Sequence, residues 1–258
     1  MLTIDYNSYR SIKSFNHRQR FLIMHYTAGN FSASISTLTG SSVSAHYLVP
    51  DPTDPTYISA GFNGIRVFNL VSENERAWHA GVSSWQGRSN LNDSSIGIEI
   101  VNEARDENGE IIFVPFNAEQ IKELIELSKN ILSRFQDITP VNVIGHSDIA
   151  PGRKSDPGAT FPWFQLYQEG VGAWYDEATK QKYFEQFWNE GTPDRHEIIK
   201  KLSIYGYDIS DGNSGTGFKN LLRSFQLHFR QSNYNGIPDA ETAAILWALV
   251  EKYFPASY

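Results

Sequence analysis

The sequence predicts an α/β fold followed by a small domain of three helices. Three observations carry that expectation. Short apolar runs at 20–26, 95–101 and 141–144 each lead into a polar group, as buried strands with functional ends do. A capped, amphipathic helix lies between the last two runs. Beyond Gly191-Thr192-Pro193 only helical spacing remains.

The bulk properties narrow the class. A chain of 258 residues allows one large domain, or one medium and one small domain. Apolar residues make up 40% and charged residues 20%, as in an ordinary globular protein. A formal charge of -7, with no Lys/Arg run, argues against nucleic acid as a partner. The absence of cysteine excludes disulfides, thiolate metal sites and a cysteine nucleophile. No apolar run is long enough for a membrane span. The N-terminal stretch Met1-Leu-Thr-Ile-Asp-Tyr-Asn lacks the basic and apolar regions of a classical signal peptide.

Taken in order, Arg20 to Tyr26 reads as a buried strand with His25 near its carboxyl end, and Thr27 to Asn30 as a turn. Val43 to Val49 is a second strand, closed by the stiff Pro/Asp-rich loop 50–55. Ile65 to Val71 is a third strand. Ala77-Trp78-His79-Ala80-Gly81 is an aromatic loop, and the polar stretch 83–95 reads as a functional loop. Ser95 to Val101 is the clearest strand, interrupted by Glu99. A carboxylate inside a central strand is costly unless paired, protonated or near a metal. Asn117 caps the next helix with Gln120 at the capping-box position, and Ile121, Leu124, Ile125, Ser128, Ile131, Leu132 and Phe135 give its apolar face. Val141 to Ile144 then forms a strand ending in Gly145 and His146. The following Pro- and Gly-rich residues, through Lys154, Asp156 and Gly158, read as loop.

Phe161 to Phe164 starts a short helix or turn, and Val171 to Asn189 is an amphipathic extension or linker. The first domain is therefore drawn over 1–190 and the helical one over 191–258. Thr192 and Pro193 suit a helix start, with Ile198, Ile199, Leu202 and Tyr205 along the first helix. Phe218, Leu221, Leu222, Phe225 and Phe229 line the second, and Asp239 caps the third.

Ligands of α/β sheets gather beyond the carboxyl ends of strands, where His25 and His146 both fall. With Asp156 on the adjacent loop they form a candidate metal site, since two His and one carboxylate leave a hydrolytic zinc an open position. No local zinc signature is present, so spacing alone leaves open whether these are ligands or separate structural residues. Glu99 also has a structural reading, pairing with an Arg or capping a loop. Lys154 reads as a solvated loop Lys, His46 as a satisfied core residue, and His79 as a loop residue packed by Trp78. His17, His196 and His228 read as surface or helix-packing residues. There is no Gly-x-Ser-x-Gly elbow, P-loop or dinucleotide fingerprint.

Several motifs nonetheless occur in order across 20–165. They are Met24-His25-Tyr26-Thr27-Ala28, Ala45-His46-Tyr47-Leu48, Ala77-Trp78-His79-Ala80-Gly81, Asn92 to Glu99, and Gly145-His146-Ser147-Asp148-Ile149-Ala150-Pro151 with Arg153 to Gly158. Together they resemble the zinc-dependent N-acetylmuramoyl-L-alanine amidases of the AmpD/AmiD type, whose fold is shared with phage lysozyme amidases and peptidoglycan recognition proteins. Phe225-Gln226 and Asn235 to Thr242 resemble the helical peptidoglycan-binding domain of the larger members.

The resemblance implies a central mixed β-sheet flanked by helices. It implies one Zn²⁺ held by His25, His146 and Asp156, with Glu99 as general base and Lys154 steadying the oxyanion. Arg66, Arg88, His79 and Asn92 become candidate contacts to the stem peptide, with Trp78 and His46 in the same substrate-binding set. The expected partner is peptidoglycan or its muropeptides. Self-association as a homo-oligomer is left open. The expected location is the periplasm or cell envelope of a Gram-negative bacterium, reached by non-classical export or after a signal was trimmed. Two other readings compete: a non-catalytic peptidoglycan recognition protein, and a zinc carboxypeptidase acting on the D-alanyl end.

Overall fold

The computed structural model describes residues 2–5, 8–9 and 17–257. The first apolar run forms β1 (Phe21–Tyr26), and Asn30 caps α1 (Phe31–Leu38) by accepting from Ala33 N–H. The expected strand at 43–49 shortens to β2 (Tyr47–Val49) because Ser44 turns aside to bond Trp78. The Pro/Asp-rich loop ends in a helix, α2 (Pro55–Ser59), with Asp54 as cap and Pro at its start. The strand expected at 65–71 survives only as β3 (Phe68–Asn69). The polar stretch 83–95 is more ordered than a loop. It holds a hairpin of β4 (Ser84–Trp85) and β5 (Arg88–Ser89), then a 3-10 turn at Leu91–Asp93.

β6 (Ser95–Ile100) follows, then an exposed hairpin of β7 (Arg105–Glu107) and β8 (Glu110–Ile112) that carries no apolar signal strong enough to announce it. Asn117 caps α3 (Ala118–Arg134) as expected. Gln120 does not complete a capping box; its amide donates instead to the carbonyls of Val49 and Val101, fastening α3 to the sheet. β9 (Val143–Gly145) leads directly into one helical turn, α4 (His146–Ile149), where loop was expected. Asp148 causes that turn by accepting from Gly145 N–H at 2.8 Å. The C-terminal part consists of α5 (Trp163–Gln168), α6 (Glu177–Glu190), α7 (Arg195–Tyr205), α8 (Gly215–Phe229) and α9 (Ala240–Tyr253). The cap of α7 is Asp194 in a capping box with Glu197, rather than Thr192.

The main sheet has the order β3-β2-β6-β1-β9, parallel except for the edge strand β3. Because side chains alternate along a strand, its two faces have separate fates. Leu22, Met24, Ile96, Ile98 and Ile100 face α3 and α5, where Leu124, Ile131, Phe161 and Leu166 bury them. Phe21, Ile23 and Ile144 face the other way, into a core shared with Leu202, Tyr205, Phe225, Leu246 and Leu249. The C-terminal helices thus complete the core of the sheet. Trp85 from the small hairpin is wholly buried in the same cluster, edge-on to Tyr205 and Tyr207. α6 packs on α9 through Tyr183 and Phe187 against Ala240, Ala243 and Ala244.

A buried polar knot closes this seam. Asp148 accepts from Tyr207 Oη at 2.5 Å and bonds His228 Nδ1 at 2.7 Å, while also holding Gly145. His228, expected at a surface or in helix packing, is almost fully buried and stacks on Trp163 with ring centroids 3.8 Å apart.

Two outcomes follow. A chain ended after Glu190 uncovers Phe21, Ile23, Trp85 and Ile144, and should lose its cooperative melting transition in calorimetry. Tyr207→Phe leaves a buried carboxyl oxygen short of a donor, at about 1–3 kcal/mol, and should lower the melting temperature by roughly 2–12 °C.

Candidate metal centre and active-site cleft

Parallel strands bring their carboxyl ends to one edge, and that edge is where the site forms. β1 and β6 pair in register with His25 opposite Glu99, so both side chains leave the same face. His146 is the first residue after β9. The chain then returns to it, because Ser147 N–H donates to the Asp156 carbonyl at 2.9 Å. His25 Nδ1 lies 3.0 Å from His146 Nδ1 and 2.9 Å from Asp156 Oδ2, and the third edge of the triangle is 3.0 Å. All three residues are buried.

The surrounding hydrogen bonds decide which nitrogens are bare. His146 Nε2 faces the Ala80 carbonyl at 3.0 Å, a pure acceptor, so it carries the proton and Nδ1 keeps its lone pair. For His25 the proton is fixed through a relay of two further residues. Ser95 Oγ donates to the Leu91 carbonyl at 2.6 Å, and so accepts from His79 Nε2 at 3.1 Å. His79 Nδ1 must then accept, at 2.9 Å, from His25 Nε2. That leaves His25 Nδ1 bare as well. Two lone pairs and a carboxylate oxygen therefore converge on one point, the donor chemistry of a divalent cation site. A tetrahedral ion with bonds of about 2.0–2.2 Å holds its donors roughly 3.3–3.6 Å apart, so a small spreading of the triangle accommodates it.

Charge follows the geometry. Burial, then the neighbouring His146, brings His25 down to about 4, so the ring is neutral at pH 7. Burial also drives His79 well below its ordinary value, with His25 adding to it. Burial on its own would raise the Asp156 carboxyl, whereas protons on the facing His146 and His25 nitrogens, in place of a cation, would hold it far below the usual range. Glu99 goes the other way: burial, then Asp156, pushes it well above the carboxylate range against the pull of Lys154. Its Oε2 is buried with no hydrogen-bond partner. A buried orphan oxygen beside a cation site is what a base for an incoming water requires.

Glu99, His146, Asp156 and Lys154 line a cleft of about 360 Å³, while His25, 1% exposed, is not in that lining. Trp78, exposed, and Val43 stand in its lining as apolar elements, and Lys154 lies on the exposed loop beside Asp156.

The other sequence candidates separate. His79 borders the cleft, but its ring is spent on His25 and Ser95 and lies against Gly97, where a Cβ would meet its Cγ at 2.5 Å. Asn92 is buried and holds the 79–80 backbone by accepting from His79 and Ala80 N–H. His46 is a core residue: Nδ1 accepts from Gly97 N–H and Nε2 bonds the Glu75 carbonyl. Arg66, over the Phe62 ring, and Arg88, on β5, are exposed and outside the cleft lining.

Sequence reasoning passed over Arg153, which borders the cleft and donates to the carbonyls of Ala80 and Val82. It also passed over Tyr26, whose phenol burial and Asp156 push up to about 12. Both sit beside residues that were singled out, Lys154 and His25, and adjacency was the available signal.

Comparisons with known proteins agree with this geometry. Residues 15–159 match the family described as N-acetylmuramoyl-L-alanine amidase, and residues 191–246 match a putative peptidoglycan binding domain. The chain is 44% identical to the N-acetylmuramoyl-L-alanine amidase AmiD of Escherichia coli over 92% of its length and 84% of that protein's. A crystal structure of AmpDh3 from Pseudomonas aeruginosa superposes with a TM-score of 0.95 at 56% identity, covering 98% of this chain and 99% of that one. AmiD from E. coli, solved with anhydro-N-acetylmuramic acid-L-Ala-D-γ-Glu-L-Lys, gives 0.85 at 41% identity over 97% of each chain. With its donor triangle, its orphan carboxyl and likeness over nearly the whole length, the chain belongs to the N-acetylmuramoyl-L-alanine amidase family.

Proposed function

We propose that the protein hydrolyses the amide joining N-acetylmuramic acid, ordinary or 1,6-anhydro, to the L-alanine of the stem peptide, using Zn²⁺ held by His25, His146 and Asp156. The observation that carries this reading is the buried triangle of bare donors with the unpartnered Glu99 oxygen beside it. A zinc ion in such a triangle supplies a Lewis acid for the amide carbonyl and makes a water acidic enough to lose a proton near neutral pH. Glu99 takes that proton as the water attacks the lactyl carbonyl. Its raised proton affinity suits it to take that proton, and the carboxylic acid so formed then hands it to the departing alanine amine. Lys154, on the exposed side of the cleft, places an ammonium near the oxygen that gains charge; losing one such stabiliser costs about 2.7–4 kcal/mol. His79 and Ser95 keep His25 in its metal-binding tautomer, and Arg153 shares the Ala80 carbonyl with His146.

The peptide seen with AmiD supports a muropeptide substrate. The match of 191–246 to a peptidoglycan binding domain supports action on the wall, and hence a place in the cell envelope. No helix among the described residues is long and apolar enough to cross a membrane. A carboxypeptidase would release D-alanine, whereas this reading gives peptides that begin with L-alanine. No observation favours the non-catalytic alternative.

The deciding experiment is mass spectrometry of purified muropeptides. A chelator should abolish release of peptides with an L-alanine amino terminus, and zinc should restore it; release that ignores the chelator rejects the metal centre. Glu99→Gln should keep its zinc, by metal analysis, and lose about 10²–10⁴ of turnover. His79→Phe keeps a ring over Gly97 but not the bond to His25. Its zinc affinity should fall roughly 10–100-fold, and an unchanged zinc affinity removes His79 from the centre.

A further inference from the structure

A second, polar groove adjoins the catalytic cleft. It measures about 630 Å³ and shares Ile111, Lys154 and Ser155 with the cleft. One wall is the β8 hairpin strand and the 152–155 loop. The other is the C-terminal helical unit, through α8 and the turn at 232–235. The seam is built for close approach. Gly152 has φ +76°, and a Cβ there would meet Asn220 Cγ at 2.7 Å, so α8 comes up against the loop that carries Lys154.

The cation on the α8 side is Arg223. It is half-buried, lies 5.3 Å from the Tyr234 ring centroid, and donates to Ser155 Oγ at 3.3 Å. Among the described residues no carboxylate pairs with it. Arg230, at the end of the same helix, shows the contrast: Asp239 and Glu241 occupy its guanidinium. Apart from exposed Glu110, the polar lining around Arg223 is neutral amide and hydroxyl, and Lys154 adds a second positive charge. A planar guanidinium stacked on an aromatic ring, with its hydrogens uncommitted to any acid, is matched to a carboxylate.

We propose that this groove is a carboxylate subsite for the stem peptide, with Arg223 as its cation. The C-terminal unit then reads the same peptide that the metal centre releases, in addition to any hold on the wall. The proposal rests on the amidase reading for its substrate. In the peptide seen with AmiD, L-Ala-D-γ-Glu-L-Lys, the γ-linked glutamate leaves its α-carboxylate free immediately beyond the alanine, an anion on the side away from the sugar.

The test is calorimetric titration of the zinc-loaded full-length protein with L-Ala-γ-D-Glu-L-Lys and with the same peptide carrying an α-carboxamide on glutamate. The wild type should bind the carboxylate form roughly 10–100-fold more tightly. Arg223→Gln should erase most of that preference, and Arg223→Lys, which keeps the charge but not the fork, should retain part of it. Equal binding of the two peptides by the wild type overturns the proposal, as does a preference that survives in Arg223→Gln. The two readings fail separately. Cleavage of muropeptides without an Arg223-dependent preference leaves the amidase and removes the subsite. The preference without cleavage leaves the subsite and removes the amidase.

Discussion

Two imidazole nitrogens and a carboxylate oxygen held about 3 Å apart, all with lone pairs facing inward, form an arrangement that no protein interior tolerates without a reason. Much of the molecule serves to enforce it. The parallel pairing of β1 with β6 and β9 sets the spacing of His25, Glu99 and His146. The return of the chain at Ser147 brings in Asp156. The backward bonds through His79, Ser95 and Leu91 on one side, and Ala80 on the other, decide where the protons lie. The loop 79–80 is in turn held by Asn92. What reads as a set of separate polar residues is one connected scaffold for two proton positions.

That scaffold explains which parts of the site were legible. His25 and His146 stand at the ends of apolar runs, and strand ends of a parallel sheet converge, so their meeting follows from local pattern and a general rule of topology. Glu99 announced itself as a charge inside an apolar strand. His79, Asn92 and His46 were recognised as part of the set, but their contacts run to ring nitrogens and backbone amides, and pattern cannot tell a side chain that faces a ligand from one that holds up its neighbour. Arg66 and Arg88 were candidates for stem-peptide carboxylates by their charge, and charge type says nothing of direction.

The fold divides the same way. β1, β6, α3 and the Asp239-capped α9 carry strong periodicity or caps and appear where expected. The β7–β8 hairpin and the α4 turn depend on particular side-chain bonds, among them Asp148 to Gly145. The largest difference concerns the two halves of the chain. Composition shifts near Gly191, yet Trp85 and Ile144 share a core with Tyr205 and Leu249. Such a union lies in contacts between residues far apart in sequence, which periodicity does not register.

This union has a consequence for how the protein comes into being. During synthesis β1 leaves the ribosome long before Leu246 and Leu249, members of the cluster that encloses Phe21 and Ile23. One face of the sheet must therefore wait, uncovered, until α9 has emerged, since long-range contacts cannot form before both partners exist. An apolar sheet face left open in this way is the kind of surface that chaperones cover, and the core around Phe21 and Ile23 closes only once α9 docks.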